Sequence, residues 1–270
     1  MNLPTSPPFA LDVAHGSAAI WRAHEGADAT SFEVVSSAYP ALDAVLPSAG
    51  WPVGQLSEIL SHQPLGADWQ LVLPAVLAQQ RAALGAGCAR WAGSVVLVNP
   101  VHPPFAPTWA AWGLDTSRLV VLQPQSPQAA AWATEQALRC ADVVAVLAWL
   151  PHASAVVLRR LQYAATQSRS LAWVFRPASA ASQASPAPLR LHVDGVANDQ
   201  AEPSLQLRVL KRRGAPHAEV LQLPWAQDAV PQALRAARRL QQRLRQDPTP
   251  RRSGGAHVHA DVDAVALAVG

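Results

Sequence analysis

The sixteen residues Leu56 to Leu71, L-S-E-I-L-S-H-Q-P-L-G-A-D-W-Q-L, have the layout of a phosphate-binding loop without its charges. A strand-like run ends at Leu60, a loop with Pro64 and Gly66 follows, and an apolar helical stretch begins near Trp69. A working loop reads G-x-x-x-x-G-K-[S/T]: glycines let backbone N–H groups close on phosphate oxygens, Lys neutralises the β and γ charge, and Ser or Thr holds magnesium. The corresponding positions here are Ser61, Gly66, Ala67 and Asp68. Ala67 has no charge where a cation is needed, and Asp68 would repel a triphosphate. No cofactor is expected in this frame.

Two basic groups come next. Lys211, Arg212 and Arg213 form the sharpest positive cluster, in the turn K-R-R-G-A-P. It suits DNA phosphates, an acidic partner face, or plain solvation. Farther on, Val230, Leu234, Ala237, Leu240 and Leu244 make an apolar stripe at helical spacing, ringed by Arg235, Arg238, Arg239, Arg243 and Arg245. Such a helix can dock its stripe on a partner or on the core, or set its arginines against DNA. His257, His259, Asp261 and Asp263 alternate so that an extended chain would put all four on one side, a pattern that can bind divalent ions. They fall in a stretch without a core pattern and are read as a solvated tail, so no metal is expected. His102, between Val101 and Pro103, has no sequence-local acid or base and is read as shaping a loop. No G-x-S-x-G or H-E-x-x-H sequence is present.

Charge distribution separates the chain into parts. Residues 1–204 hold 10 basic and 13 acidic groups, a balance of −3; residues 205–252 hold 11 and 3, a balance of +8; the last eighteen contribute −2. This asymmetry points to an anionic partner for the C-terminal third, or to a soluble arginine-rich surface. Half of the 270 residues are hydrophobic and 14% are charged, enough for one substantial core. Two cysteines, Cys88 and Cys140, make no C-x-x-C pair and argue against a disulfide framework or structural zinc. The N-terminus lacks a signal-peptide pattern, and the longest apolar run, Val143 to Pro151, is far short of the roughly 20 residues of a membrane span. A cytoplasmic protein without membrane contact is expected.

The elements that must position these groups alternate. Residues 1–32 read as an arm with one short helical piece, S-A-A-I-W-R-A-H-E. From there V-V-S-S-A-Y-P-A-L-D-A-V-L enters a short helix, G-W-P-V-G reads as a turn and Q-L-S-E-I-L as a strand. Residues 69–83 are helical by composition, but Pro74 would cost about 3 kcal/mol in mid-helix, so the helix starts near Leu73 or kinks there. Four buried-looking strands follow, S-V-V-L-V-N, R-L-V-V-L-Q, D-V-V-A-V-L-A-W and L-A-W-V-F-R, separated by helical segments at 104–112, 127–140 and 153–167. Apolar runs alternating with helices indicate a parallel sheet covered on both faces, an α/β fold. Residues 178–188, low in complexity, read as a flexible loop. L-R-L-H-V, L-Q-L-R-V-L and A-E-V-L-Q-L alternate with period two and extend the sheet as antiparallel strands. The domains are thus 1–32, a core over 33–224, and 225–270 with its basic helix and disordered tail.

Over 33–224 the chain resembles the RecA family. The lead V-V-S-S-A-Y-P-A-L-D-A-V-L-P-S-A-G-W-P-V-G-Q-L-S-E-I is similar to the family's approach to its phosphate loop, and W-G-L-D-T-S-R-L-V-V-L-Q-P to a later core segment. The resemblance implies a RecA-like core of mainly parallel, twisted sheet flanked by helices, with an antiparallel extension on the C-terminal side. It also implies a vestigial subunit interface at the turn with Lys211, Arg212 and Arg213, and a lost motor. Lys and Thr of the loop fall on Ala67 and Asp68, the general-base glutamate on Pro100 or Val101, the magnesium-associated Asp on Leu147 or Ala148, and the γ-phosphate sensor near Arg176. The DNA-binding loops have no counterpart either: W-L-P-H-A-S-A-V-V-L-R-R-L passes almost directly into helix, and 178–188 holds no basic or aromatic residue.

Six segments more closely resemble the ImuA group of RecA-like proteins: L-V-L-P-A-V-L, N-P-V-H-P-P-F-A-P, V-L-A-W-L-P, L-R-R-L-Q-Y-A-A, W-V-F-R-P and V-L-K-R-R-G-A-P. That resemblance implies a non-enzymatic accessory protein of damage-inducible (SOS) mutagenic translesion synthesis. Its implied partners are an ImuB-like relative of Y-family polymerases and an error-prone replicative-type polymerase complex, with RecA, and DNA at the basic C-terminal region, as further options. SulA, the inhibitor of the division protein FtsZ, is similar over about Leu56 to Pro177 but lacks the later strands and the basic helix. A SulA-like inhibitor and a DNA-dependent ATPase with an altered loop are the alternatives.

Overall fold

The computed structural model describes residues 32–62, 71–85, 93–198 and 201–224. Gly66, Ala67 and Asp68, the basic helix with Arg235, Arg238, Arg239 and Arg243, and the His/Asp tail lie outside these residues.

A small antiparallel pair, β1 (Val34–Val35) and β2 (Trp51–Pro52), precedes the main sheet, with the four-residue helix α1 (Pro40–Asp43) between them. G-W-P-V-G is therefore part of a strand pair as well as a turn. Trp51 is the reason: it is fully buried and meets Trp173 edge to face at 5.5 Å, which anchors the backbone in extended form. Gly54 makes the turn that follows, with φ +68°, and a Cβ there would stand 3.0 Å from the Ser168 carbonyl oxygen.

The chain then builds one eight-stranded sheet. Its strands are β3 (Leu56–Ser61), β4 (Ser94–Val98), β5 (Leu119–Leu122), β6 (Val143–Trp149), β7 (Leu171–Pro177), β8 (Leu189–Asn198), β9 (Ala201–Lys211) and β10 (Val220–Pro224), in the spatial order β10-β9-β8-β3-β7-β6-β4-β5. From β8 to β5 all neighbours are parallel; β8 with β9 and β9 with β10 are antiparallel. The mixed, mainly parallel α/β sheet with antiparallel strands on its C-terminal side matches the sequence reading. One detail differs: β8 joins β3 in parallel, so the antiparallel pairing begins one strand later than the period-two pattern implied.

The helices are α2 (Leu73–Gly85), α3 (Ala106–Ala111), α4 (Pro127–Arg139) and α5 (Ala155–Thr166). Pro74 sits in the first turn of α2, where its missing N–H breaks no internal hydrogen bond. Ser126 and Ser154 cap α4 and α5 by accepting from the N–H groups of Ala129 and Val157. One core lies under α2 and α3, with Ile59, Leu97, Leu147, Trp173 and Leu191 contributed by the sheet and Val76 and Trp109 by the helices. The other lies under α4 and α5, with Leu56, Val96, Val146 and Val174 facing Leu138, Leu158 and Leu161. Glu135 ties the two helices together by accepting from Arg139 at 2.6 Å and from Arg160. A buried Gln80 joins α2 to the start of β4 and to the loop before β5, donating to the carbonyls of Gly93 and Asp115 and accepting from the Asp115 N–H.

Two sequence expectations need correction. R-L-V-V-L-Q is not a buried strand: β5 is the sheet edge, and Val120 and Val121 are each 39% exposed. Residues 178–188 are not a free loop, because Ala178–Ser182 form a 3-10 turn, with Ala180 and Ala187 buried against the core. What holds that turn is a charged group in the sheet.

Candidate functional site

Side chains of a strand alternate between faces, so register decides which polar groups of β3, β7 and β8 can meet. Glu58 pairs with Val174 on one side and Arg190 on the other; Leu60 pairs with Arg176 and His192. One further step along the same face brings His62 to Asp194. Two polar clusters result, Glu58 with Arg176 and Arg190 inside the sheet and His62 with His192 and Asp194 just beyond the end of β3.

The inner cluster is closed. Glu58 is fully buried; one of its oxygens accepts from Arg176 Nη1 at 2.6 Å and the other from Arg190 Nε at 2.7 Å. Arg176 continues to the carbonyl of Ala153 and the side chain of Gln183, and Arg190 to the carbonyls of Ala180 and Ala181. A buried charge without partners costs several kcal/mol, so the two guanidinium groups and the carboxylate hold one another in place. They also fasten the turn at 178–182 over the sheet.

The outer cluster is open. His62, 69% exposed in its side chain, has Nδ1 3.0 Å from each oxygen of Asp194, and its backbone N–H donates to the same carboxylate at 3.2 Å. His192 Nδ1 lies 3.4 Å from Asp194 Oδ2, and the two imidazoles meet edge to face at 4.9 Å. Burial pushes the His192 imidazole below its ordinary pKa, an effect the Asp194 charge opposes and those of His62 and Arg208 reinforce. For Asp194 burial acts upward, but the hydrogen bonds from His62, side chain and backbone, together with the charges of His192 and His62, hold the carboxyl below the usual range. At neutral pH the cluster thus offers a carboxylate beside an imidazole that keeps its lone pair.

Other positions singled out in the sequence are scattered. Ser61 is buried at the end of β3. Pro100 is buried and Val101 exposed just beyond β4; Leu147 and Ala148 are buried in β6; His102 is exposed. Arg176, at the sensor position, faces Glu58 and is 4% exposed. The basic turn is partly internal: Lys211 donates to the Ser185 carbonyl, and Arg212 to those of Ala215 and Val45. Arg213 lies over the Phe32 ring at 5.7 Å. A cleft of about 230 Å³ opens beyond β4 and β6, lined in part by Asn99, Ser126, Trp149 and His152. Two of its polar groups are committed to backbone: the Asn99 amide donates to the Trp149 carbonyl and the Ser126 hydroxyl caps α4.

Sequence reasoning missed the outer cluster. Its signal was present: H-V-D at 192–194 puts His and Asp on one face of a period-two strand. The alternating logic applied to the tail at 257–263 applies equally here.

No protein-family model matches this chain, and no curated protein does. Among solved structures it is similar to SulA from Pseudomonas aeruginosa, with 22% identity, a TM-score of 0.34, and coverage of 45% of this chain and 97% of that one.

Proposed function

We propose that this chain is a non-catalytic, RecA-like accessory protein of a damage-inducible mutagenic translesion synthesis complex. In this reading it acts with an ImuB-like partner and an error-prone replicative-type polymerase. The observation that carries the non-catalytic part is Arg176. The RecA resemblance puts a γ-phosphate sensor there, yet both terminal nitrogens of this side chain are held internally by Glu58, Ala153 and Gln183. Leu147 and Ala148, buried and apolar where a magnesium-associated carboxylate would stand, point the same way. So do Ala67 and Asp68 in the sequence of the loop. Losing a charge clamp, a metal site and a base together removes most of what accelerates phosphoryl transfer.

A scaffold needs surface for partners. Phe105 is 66% exposed, and the outer side of β5, unpaired among the described residues, presents Val120 and Val121 beside backbone groups able to accept another strand. Arg213, in the basic turn, is the exposed cation best placed for an acidic partner or a phosphate, since Arg212 is bound to carbonyls. Reversing the charges of Lys211, Arg212 and Arg213 should weaken co-purification with the ImuB-like partner; unchanged recovery would count against this role of the turn. Calorimetry with Mg-ATP tests the other half of the proposal: heat of saturable binding, with turnover, would sink it.

A further inference from the structure

The outer cluster has a composition that neither the fold nor the proposed function requires. Three side chains, His62 just past the end of β3 and His192 and Asp194 on β8, place two imidazole nitrogens and a carboxylate oxygen all within 4.8 Å of one another. Two imidazoles with one carboxylate form a donor set used for zinc and neighbouring transition metals, and three protein ligands with a fourth position open is a common zinc arrangement. The parallel register of β3 and β8 creates the grouping, and period two along β8 puts His192 and Asp194 on the same face.

We infer that His62, His192 and Asp194 form a binding site for a zinc-class divalent transition-metal ion, with its remaining coordination position facing solvent. Ligands about 2.0–2.1 Å from zinc in a tetrahedron stand about 3.4 Å apart. The His62–Asp194 and His192–Asp194 separations, 3.0 and 3.4 Å, are already near that value. The separation between the two imidazole nitrogens, within 4.8 Å, can contract, since the exposed His62 ring can swing toward the ion. Arg208, paired with His192 across β8 and β9, counts against a cation here. Its exposed side chain can turn into water, whereas His192 and Asp194 are held by the sheet.

Magnesium and calcium do not fit, since both favour all-oxygen shells. The bound ion would fasten the end of β3 to β8 at the mouth of the former phosphate loop and leave one position for water or for a side chain of a partner. The inference stands whether or not the chain acts in translesion synthesis.

The test uses the full-length chain, purified without a histidine tag and stripped with a chelator. Titration with zinc chloride by calorimetry should show about one equivalent bound per chain. Cobalt(II) should give the visible absorption of a low-coordinate site with nitrogen and oxygen ligands. His192→Ala and Asp194→Asn should each weaken zinc by at least roughly 100-fold, more than the 10- to 100-fold typical of losing a group that only supports a ligand. His62→Ala, at a mostly exposed side chain, should do the same with circular dichroism unchanged, and it decides the matter if a β8 variant fails to fold. His257→Ala with His259→Ala should leave binding intact. The inference is overturned if zinc shows no saturable binding, if the three cluster variants bind as the parent does, or if only the tail variant loses the metal.

Discussion

Glu58 with Arg176 and Arg190, and Asp194 with His62 and His192, follow the same β3–β8 register, the second cluster two same-face steps beyond the first. In each, a carboxylate sits between two nitrogen side chains, guanidinium cations in one and imidazoles in the other. The inner one is covered by the turn at 178–182 and has almost no exposure; the outer one ends in an imidazole standing mostly in water. Burial, together with the change from guanidinium to imidazole, separates a structural lock from a site available to a ligand. In the covered cluster, where water cannot substitute, both carboxylate oxygens of Glu58 and both terminal nitrogens of Arg176 are paired within the protein, and only Arg176 Nε is left without a partner. In the open one, an ion can exchange with water at small cost.

The largest effect that could break this comparison is at Glu58. Glu58→Ala strands two buried guanidinium groups and should destabilise the fold by about 3–5 kcal/mol in urea denaturation; a loss below about 1 kcal/mol would mean that the cluster is far wetter than its geometry implies. Next, Glu58→Gln and Arg190→Met combined should cost less than the sum of the single changes, by about 0.5–3 kcal/mol, since each alone leaves the other unmatched. Purely additive costs would deny the coupling. Asp194→Asn, by contrast, should change stability in metal-free buffer by less than about 1 kcal/mol, as exposed ion pairs do. A larger loss would make the outer cluster a lock as well.

The smallest effect concerns Asp115, which belongs to neither cluster and shows what an exposed, capped carboxylate does. Its hydrogen bond to the Ser117 hydroxyl, aided by the Ser117 N–H and by Arg118, outweighs burial and holds the carboxyl below the usual range. A depressed native pKa stabilises above the unfolded value, and that contribution disappears as pH falls through the folded one. Asp115→Asn should therefore flatten a shallow loss of stability below the ordinary carboxylate range, read from melting temperature against pH. An unaltered acid profile would assign that slope to other groups.

Much of the sheet was legible because buried parallel strands are written as apolar runs. S-V-V-L-V, V-V-A-V-L-A-W and L-A-W-V-F-R became β4, β6 and β7 with nearly every residue buried. Helix starts were legible where Ser126 and Ser154 precede apolar repeats. R-L-V-V-L-Q reads the same way, yet became an edge, because strand order depends on crossovers that composition does not record. The two polar clusters were hidden for a related reason. Glu58 and Arg190 are 132 residues apart, and only the β3–β8 register makes them neighbours. The alanine-rich stretch at 178–182 looks like a linker, since the side chain that holds its carbonyls, Arg190, lies outside it.

The central position of β3 also bears on how the molecule is made. Its two sheet neighbours, β7 and β8, are the fifth and sixth strands of this sheet to leave the ribosome. A nascent chain must therefore carry Glu58 for more than a hundred residues of synthesis before either counter-charge is available. At about 5–20 residues per second that is an interval of several seconds. Until Arg190 emerges, the middle of the sheet is open, and a messenger truncated before that codon yields a chain that no later event can close.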